Sequence, residues 1–282
     1  DNYAPHEGAG IHFYQVDNNN SNINGLIVKN NVSDGSGGGI FFFDNSPNLK
    51  NTLIYNNTAL RGAGIHMHNS GAESDDPIFN NITIINNEAS IEGGGIGASS
   101  QNLNLINTIV YGNTPQQISL NNSLTCNIYY SVIEDGEDGI LNINNESTLN
   151  WLDGNIDVDP LFVDPANSDY HLQDESLCIG AGTDSIEIDG TWYYAPDTDI
   201  EGIIRPNPEG SNPDMGTYEN QYGEPQHNSF IYVSTEGDDD GSVGFESEPF
   251  ATIQAAIDYA WDGDTVLVAT GSYVENITWP AT

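Results

Sequence analysis

The sequence predicts an all-β fold, a right-handed parallel β-helix, on three observations. A small-Gly turn followed by isoleucine occurs four times: Gly8-Ala9-Gly10-Ile11, Gly37-Gly38-Gly39-Ile40, Gly62-Ala63-Gly64-Ile65 and Gly93-Gly94-Gly95-Ile96. A second element runs in step with it, at residues 24–30 (NGLIVKN), 51–57 (NTLIYNN), 81–87 (NITIINN) and 107–113 (NTIVYGN). The third observation is the period. The isoleucines lie 29, 25 and 31 residues apart and the closing asparagines 27, 30 and 26. A unit of about 20–50 residues repeated in register marks a solenoid, whose turns bury their apolar faces only on one another. Short β-branched runs between Gly and Asn punctuation make each turn strands. Crossovers between parallel strands are right-handed.

The elements follow in order. Thirty of the 36 asparagines precede residue 156, so residues 1–155 are the repeating coils. The pattern fades at Ser131-Val132-Ile133 and Ile140-Leu141-Asn142-Ile143. Residues 156–222, aperiodic and rich in Asp, Pro and Gly, read as a loop-rich C-terminal cap, and 223–229 as a linker. From residue 230 to 282 a next module opens. Ile231-Tyr232-Val233 reads as a strand, and Ile253, Ala256, Ile257 and Ala260 form one apolar helix stripe, an N-terminal capping helix. Residues 265–269 and 276–279 read as the first strands of fresh coils. Such an order looks cut out of phase from a tandem array. Its open coil ends expose strand edges, so head-to-tail stacking on neighbouring copies or modules is expected.

Within the coils, Ile11, Ile40, Ile65 and Ile96 should point inward, and alternation sends Phe13, Phe42, Met67 and Ala98 inward as well. Ile27, Ile54, Ile84 and Val110 form a second core column, followed at the bend by a ladder of Asn30, Asn57, Asn87 and Asn113.

Charge narrows the function classes. The chain has 42 acids against four bases, a net −38, and its bases are Lys29, Lys50, Arg61 and Arg205. Such a surface repels nucleic acid, anionic lipid and polyuronates. No run reaches the ~18 apolar residues of a membrane helix, so no membrane insertion is expected. Cys126 and Cys178 are too few for a disulfide framework; one bridge or two free thiols are both open.

Residues 155–183 and 199–219 resemble the choice-of-anchor Q region of bacterial surface proteins. The pieces that carry the likeness are Asp159-Pro160-Leu161-Phe162, Asp169-Tyr170-His171-Leu172, and Pro213-Asp214-Met215-Gly216 with Tyr218-Glu219. Phe250-Ala251-Thr252-Ile253-Gln254-Ala255-Ala256-Ile257, with Gly263-Asp264-Thr265-Val266, is similar to the opening of pectate-lyase-like right-handed β-helices. The resemblance implies a secreted bacterial protein at the cell surface, a stalk, fibre or adhesin. It does not imply lyase activity, because the fold hosts enzymes and inert stalks alike.

Candidate sites are few. Lyases of this fold need a base near calcium-bound carboxylates, and hydrolases paired aspartates; neither set is recognisable, so no enzyme is expected. A polysaccharide-lyase fragment with its catalytic coils elsewhere stays as one alternative. The other is a glycan-binding module. His12, Phe41 and His66, with Tyr14, Phe43 and His68, fall on outward columns about 4.8 Å apart between coils, one surface for an extracellular glycan or partner. Turns at residues 16–21 and 71–77 are long enough to fold over these rings. The three histidines lack a Cys or carboxylate to complete a transition-metal set. Acidic loops offer calcium as a candidate cofactor, through Asp135 and Asp138 or Asp238 and Asp240, without an EF-hand or nonapeptide pattern.

Overall fold

The computed structural model describes residues 1–14, 22–44, 47–71, 76–227, 229–240, 242, 244–261 and 263–279. Contacts divide the chain into two units, residues 1–225 and 226–282.

The first unit is a parallel β-solenoid with three stacked sheets. One sheet orders Tyr3–Ala4, Val32–Ser33, Thr58–Arg61 and Glu88–Glu92. The second carries six strands: Ile11–Tyr14, Ile40–Phe43, Ile65–His68, Ile96–Ser99, Ile118–Asn121 and Ile140–Asn142. The third includes Asn48–Tyr55, Ile78–Ile85, Leu103–Ile106, Thr125–Tyr129 and Thr148–Trp151. The fading repeats at 131–133 and 140–143 do form coils, with Val132–Ile133 and Ile140–Asn142 continuing the stacks.

Both inward columns of the second sheet are in register. Ile11, Ile40, Ile65, Ile96, Ile118 and Ile140 follow one another through successive pairs, as do Phe13, Phe42, Met67, Ala98 and Leu120. Ile40, Ile65, Ile96 and Ile118 are wholly buried, each worth about 1.5–3 kcal/mol of transfer free energy. The turn before these strands explains its own spelling. Gly8, Gly37, Gly62 and Gly93 hold φ of +53° to +67°, where a side chain is strained. Two residues on, a Cβ at Gly39 or Gly64 would lie 2.5 or 2.6 Å from the carbonyl of the next coil, so only glycine lets the backbones approach.

The second column shifts by one residue in its first coil. Val28, not Ile27, pairs with Ile54, and Ile27 faces solvent opposite Leu53. The register runs unbroken at an offset of 26 residues from Asn22 opposite Asn48 to Lys29 opposite Tyr55, so Gly25, at φ +77°, and not Asn24, takes the place that Asn51 holds in the next coil. The ladder moves with it: Asn31, not Asn30, is its member. In each Asn-Asn pair the first residue (Asn30, Asn56, Asn86) takes a left-handed turn, with Gly112 in the fourth coil. The second turns inward.

That ladder is directional. The Nδ2 of Asn2, Asn31, Asn57 and Asn87 donates to Oδ1 of Asn31, Asn57, Asn87 and Asn113 in turn, at 2.8–2.9 Å. Asn113 donates to Gln117 Oε1, and Gln117 Nε2 to the Glu134 carboxylate. Backbone N–H groups of the same asparagines donate to the same oxygens. Each buried amide thus satisfies its own bend and orients the next.

Residues 156–222 were expected to close an end of the solenoid; they lie along its side. Phe162, Tyr170, Leu172, Cys178, Ile179 and Met215 pack on Leu53, Tyr55, Ile85, Ile109 and Val132, which face outward from the third sheet. Cys126 and Cys178 are both free and buried.

In the second unit Phe230–Val233 pairs in parallel with Thr265–Val268, and the helix is Ile253–Tyr259. Ile231, Val233, Phe250 and Ala256 form its core, with Ile253 and Ala260 against it. Residues 276–279 are not a strand. Thr278 gives its N–H to Gln254 Oε1 at 2.7 Å, and its carbonyl accepts from Gln254 Nε2 at 3.1 Å, so a helix side chain occupies the groups a neighbouring strand would use.

Asn87→Ala should cost about 3 kcal/mol, because it orphans buried donors and acceptors in three coils at once. Urea unfolding measures this, and a midpoint equal to that of the parent chain would remove the ladder from the account of stability.

Candidate functional site

The structure brings the six outward rings together. His12, Phe41 and His66 form one column, with centroids 4.9 and 5.5 Å apart. Tyr14, Phe43 and His68 form the other, at 5.1 and 5.4 Å. Exposure falls along the patch: Tyr14 is 61% exposed, Phe41 2% and His66 8%. The rings lie back over their own glycine turns, where a Cβ at Gly37 or Gly62 would meet the Phe41 or His66 Cβ at 2.7 Å. His66 reaches over the next coil too, its Nδ1 2.8 Å from where a Gly97 Cβ would sit. Burial pulls the His66 pKa down to about 3, with His68 and Arg61 adding to the effect, so it is a neutral ring and part of the packing. Tyr14 on Phe43 (6°) and Phe41 on His66 (1°) are parallel. One flat face of each ring is thus covered by its partner, and Tyr14, at the head of its column, stays exposed. The turns at 16–21 and 72–75 lie outside the described residues.

The acidic candidates lie in turns closed by their own backbone hydrogen bonds, and Asp238 and Asp240 line one shallow cavity with Glu236 and Glu248. Asp135 has φ +63°, and its carbonyl accepts from the N–H groups of Asp138 and Gly139. Asp238 Oδ1 accepts from the Asp240 N–H at 3.1 Å. Between them Asp239 accepts from Ala251 N, Thr252 N and Thr252 Oγ1, so that loop ties down the entry to the helix. Among the described residues no three His, Cys, Asp or Glu are placed to hold a metal ion. None of the described helices is long and apolar enough to cross a membrane.

The densest polar chemistry lies elsewhere, where the flank docks on the solenoid. The opening asparagines of the second repeat element, Asn51, Asn81 and Asn107, all have positive φ, which turns their side chains out of the coil bend. Asn51 Nδ2 donates to the Thr198 carbonyl, Asn81 Nδ2 to the Asp214 carbonyl, and Asn107 Nδ2 to the Thr183 carbonyl. Arg205 then bridges the layers. Its Nε donates to Glu219 Oε2 at 2.7 Å, its Nη1 to Asn51 Oδ1 at 2.9 Å and its Nη2 to the Gly216 carbonyl at 3.3 Å, with both ionic side chains fully buried.

Two further carboxylates are buried beside this pair. Asp199 accepts from the N–H groups of Glu201, Ile203 and Glu219. Asp214 accepts from Gly180 and Asn220. Burial, reinforced by the Glu219 carboxylate, pushes the Asp214 pKa up to about 8. Burial raises Glu219 as well, against the pull of Arg205. Arg205 thus pairs with Glu219 and lowers the cost of Asp214, while Asp199 is held by backbone N–H groups alone. Pro213-Asp214-Met215-Gly216 and Glu219 stand out in the sequence as a motif, but their pairing with Arg205 and the asparagine column does not. The available signal was a lone arginine in an acidic, aperiodic segment.

Comparison with known proteins returns no match: no family model, no curated protein and no solved structure.

Asp214 carries a pH dependence whose sign follows from its shift. Its pKa rises from an ordinary 3.8 to about 8 on folding, so the folded chain holds a proton that the unfolded chain releases. The stability this supplies is complete below about pH 4 and is lost as pH rises to about 8. Asp214→Asn should therefore flatten the fall in melting temperature between about pH 5 and 8, and a parent-like slope in the variant would refute the assignment.

Proposed function

We propose that the chain is a non-catalytic structural module of a bacterial surface protein, a length of stiff extracellular stalk that stacks head-to-tail on neighbouring modules or copies. The observation that carries this reading is the fate of the cations. Arg205 is buried in the docking network, Arg61 Nε pairs with Glu92 at 3.0 Å, Lys50 donates to the Tyr194 carbonyl, and Lys29 lies 5.3 Å from the centre of the Tyr55 ring. All four bases of the chain have structural partners. A lyase acting on an anionic sugar needs cationic groups to hold its carboxylate. A directional ladder with a packed flank suits a load-bearing rod instead. The resemblance to choice-of-anchor Q and pectate-lyase-like segments supports a surface location, and the −38 charge suits a screened exterior and argues against nucleic acid as a partner.

Incubation with pectate, alginate or polygalacturonate, followed at 235 nm and by reducing ends, should give no product above blank. Turnover that disappears in Arg61→Ala would overturn the non-catalytic reading.

Assembly has its own measurement. The parallel edges of stacked coils are templates for further strands, and a heterologous contact that does not close makes filaments. Light scattering should show particles that lengthen with protein concentration, and electron microscopy should show thin fibres. A monomer that persists at high concentration would leave association between separate copies without support.

A further inference from the structure

One face of a hairpin in the flank is used neither in docking nor in the core. Ser185–Ile188 and Thr191–Tyr194 form an antiparallel hairpin with Glu187 opposite Trp192 and Ser185 opposite Tyr194. Alternation places these four on one face and Ile186, Ile188 and Tyr193 on the other. The second face is half-buried and the first is open, with Trp192 53% and Tyr194 60% exposed. The solvated face of such a hairpin is normally polar. Here it carries the two largest ring types, and among the described residues no other ring stacks on either, in contrast to the paired rings of the coil columns.

The platform is held firmly. The Tyr194 carbonyl accepts from both Lys50 Nζ (3.2 Å) and Asn80 Nδ2 (3.0 Å), and the Ala195 N–H closes the base on the Asp184 carbonyl (2.9 Å). Rings carried on a fixed base lose little freedom when a ligand arrives.

The surroundings select the ligand. Asp184, Glu187, Asp189 and Asp197 are exposed on and around the hairpin, while Lys50, the base that reaches it, is committed to the Tyr194 carbonyl. An anionic chain is repelled. Positions two apart on a strand are about 7 Å apart, a separation comparable to that of neighbouring sugar rings in a chain. Aromatic rings offer large apolar faces at low entropic cost, suited to the C–H faces of pyranoses, and Glu187 and Ser185 can bond the hydroxyls at their rims. We propose that Trp192 and Tyr194 form a contact site for an uncharged polysaccharide. The site adds an attachment point to the stalk, and the stalk reading stands or falls independently of it.

Affinity electrophoresis of the full chain through gels containing β-1,3-glucan, galactomannan or glucomannan tests the proposal, with polygalacturonate as the anionic control. At least one uncharged polymer should retard the chain and polygalacturonate should not. Trp192→Ala with Tyr194→Ala should weaken retardation at least about tenfold without moving the melting temperature. Tyr14→Ala should leave it intact and Trp192→Phe should retain most of it. If the double variant does not fold, the two single alanine variants take its place. Absence of retardation by every uncharged polymer, or retardation undiminished in the variants, overturns the proposal. So does a double variant that loses self-association in a chain that binds no polysaccharide, because the face is then an interface between copies.

Discussion

Every coil of this protein depends on the coil beside it, and the asparagine ladder makes that dependence specific. A single turn has no core of its own; its isoleucines are dry only because another turn lies on each side. Apolar stacking alone would tolerate slippage between coils. Buried amides do not, because Asn57 and Asn87 each need an acceptor one coil onward and backbone carbonyls at their own bend. A one-residue slip would leave all of these unpaired in the interior, at about 1–3 kcal/mol per group. The run of donors pointing one way ends on the Glu134 carboxylate, a charged acceptor that suits the end of a polarised chain of amides.

The same economy governs charge. A chain with 42 acids and four bases cannot neutralise its surface, and it makes no attempt to. Its buried arginine goes to a cluster of buried carboxylates at the joint between flank and solenoid. There the geometry is multivalent, joining Glu219, Asn51 and a backbone carbonyl in a single side chain. Removing one partner of such a pair strands a buried charge, so the joint is specific and sensitive to protonation.

These commitments shape what the surface can do. Phe41 and His66, among the outward rings of the second sheet, are spent on packing: they stack face to face, and the glycine turns beneath bring them against backbone, while Tyr14 at the head of the patch stays exposed. Trp192 and Tyr194 stand open on the flank, on a hairpin fixed through its backbone to Lys50 and Asn80. Function on a regular rod is thus expected at its irregular additions, as binding residues generally lie on loops held by rigid scaffolds.

Periodicity alone determined the solenoid, because a residue type recurring at each turn must stack on itself: the columns of Ile40, Ile65 and Ile96 and the ladder from Asn57 to Asn113 were legible for that reason. It could not fix the first coil, where Asn30 and Asn31 are chemically identical and Gly25, not Asn24, stands in for the opening asparagine, which moves the inward position from Asn30 to Asn31. Nor could it determine whether an outward ring is open, since exposure depends on the neighbouring coil and on the turn beneath. The aperiodic flank was the least legible part. Its docking joins Arg205 to Asn51, 154 residues away, and Thr217 to Thr52, 165 residues away, and no local pattern encodes a pairing at that separation. Local spacing specified what repeats; only the folded chain could decide which face of the repeat the flank would cover, because that choice rests on buried partners that meet nowhere in the sequence.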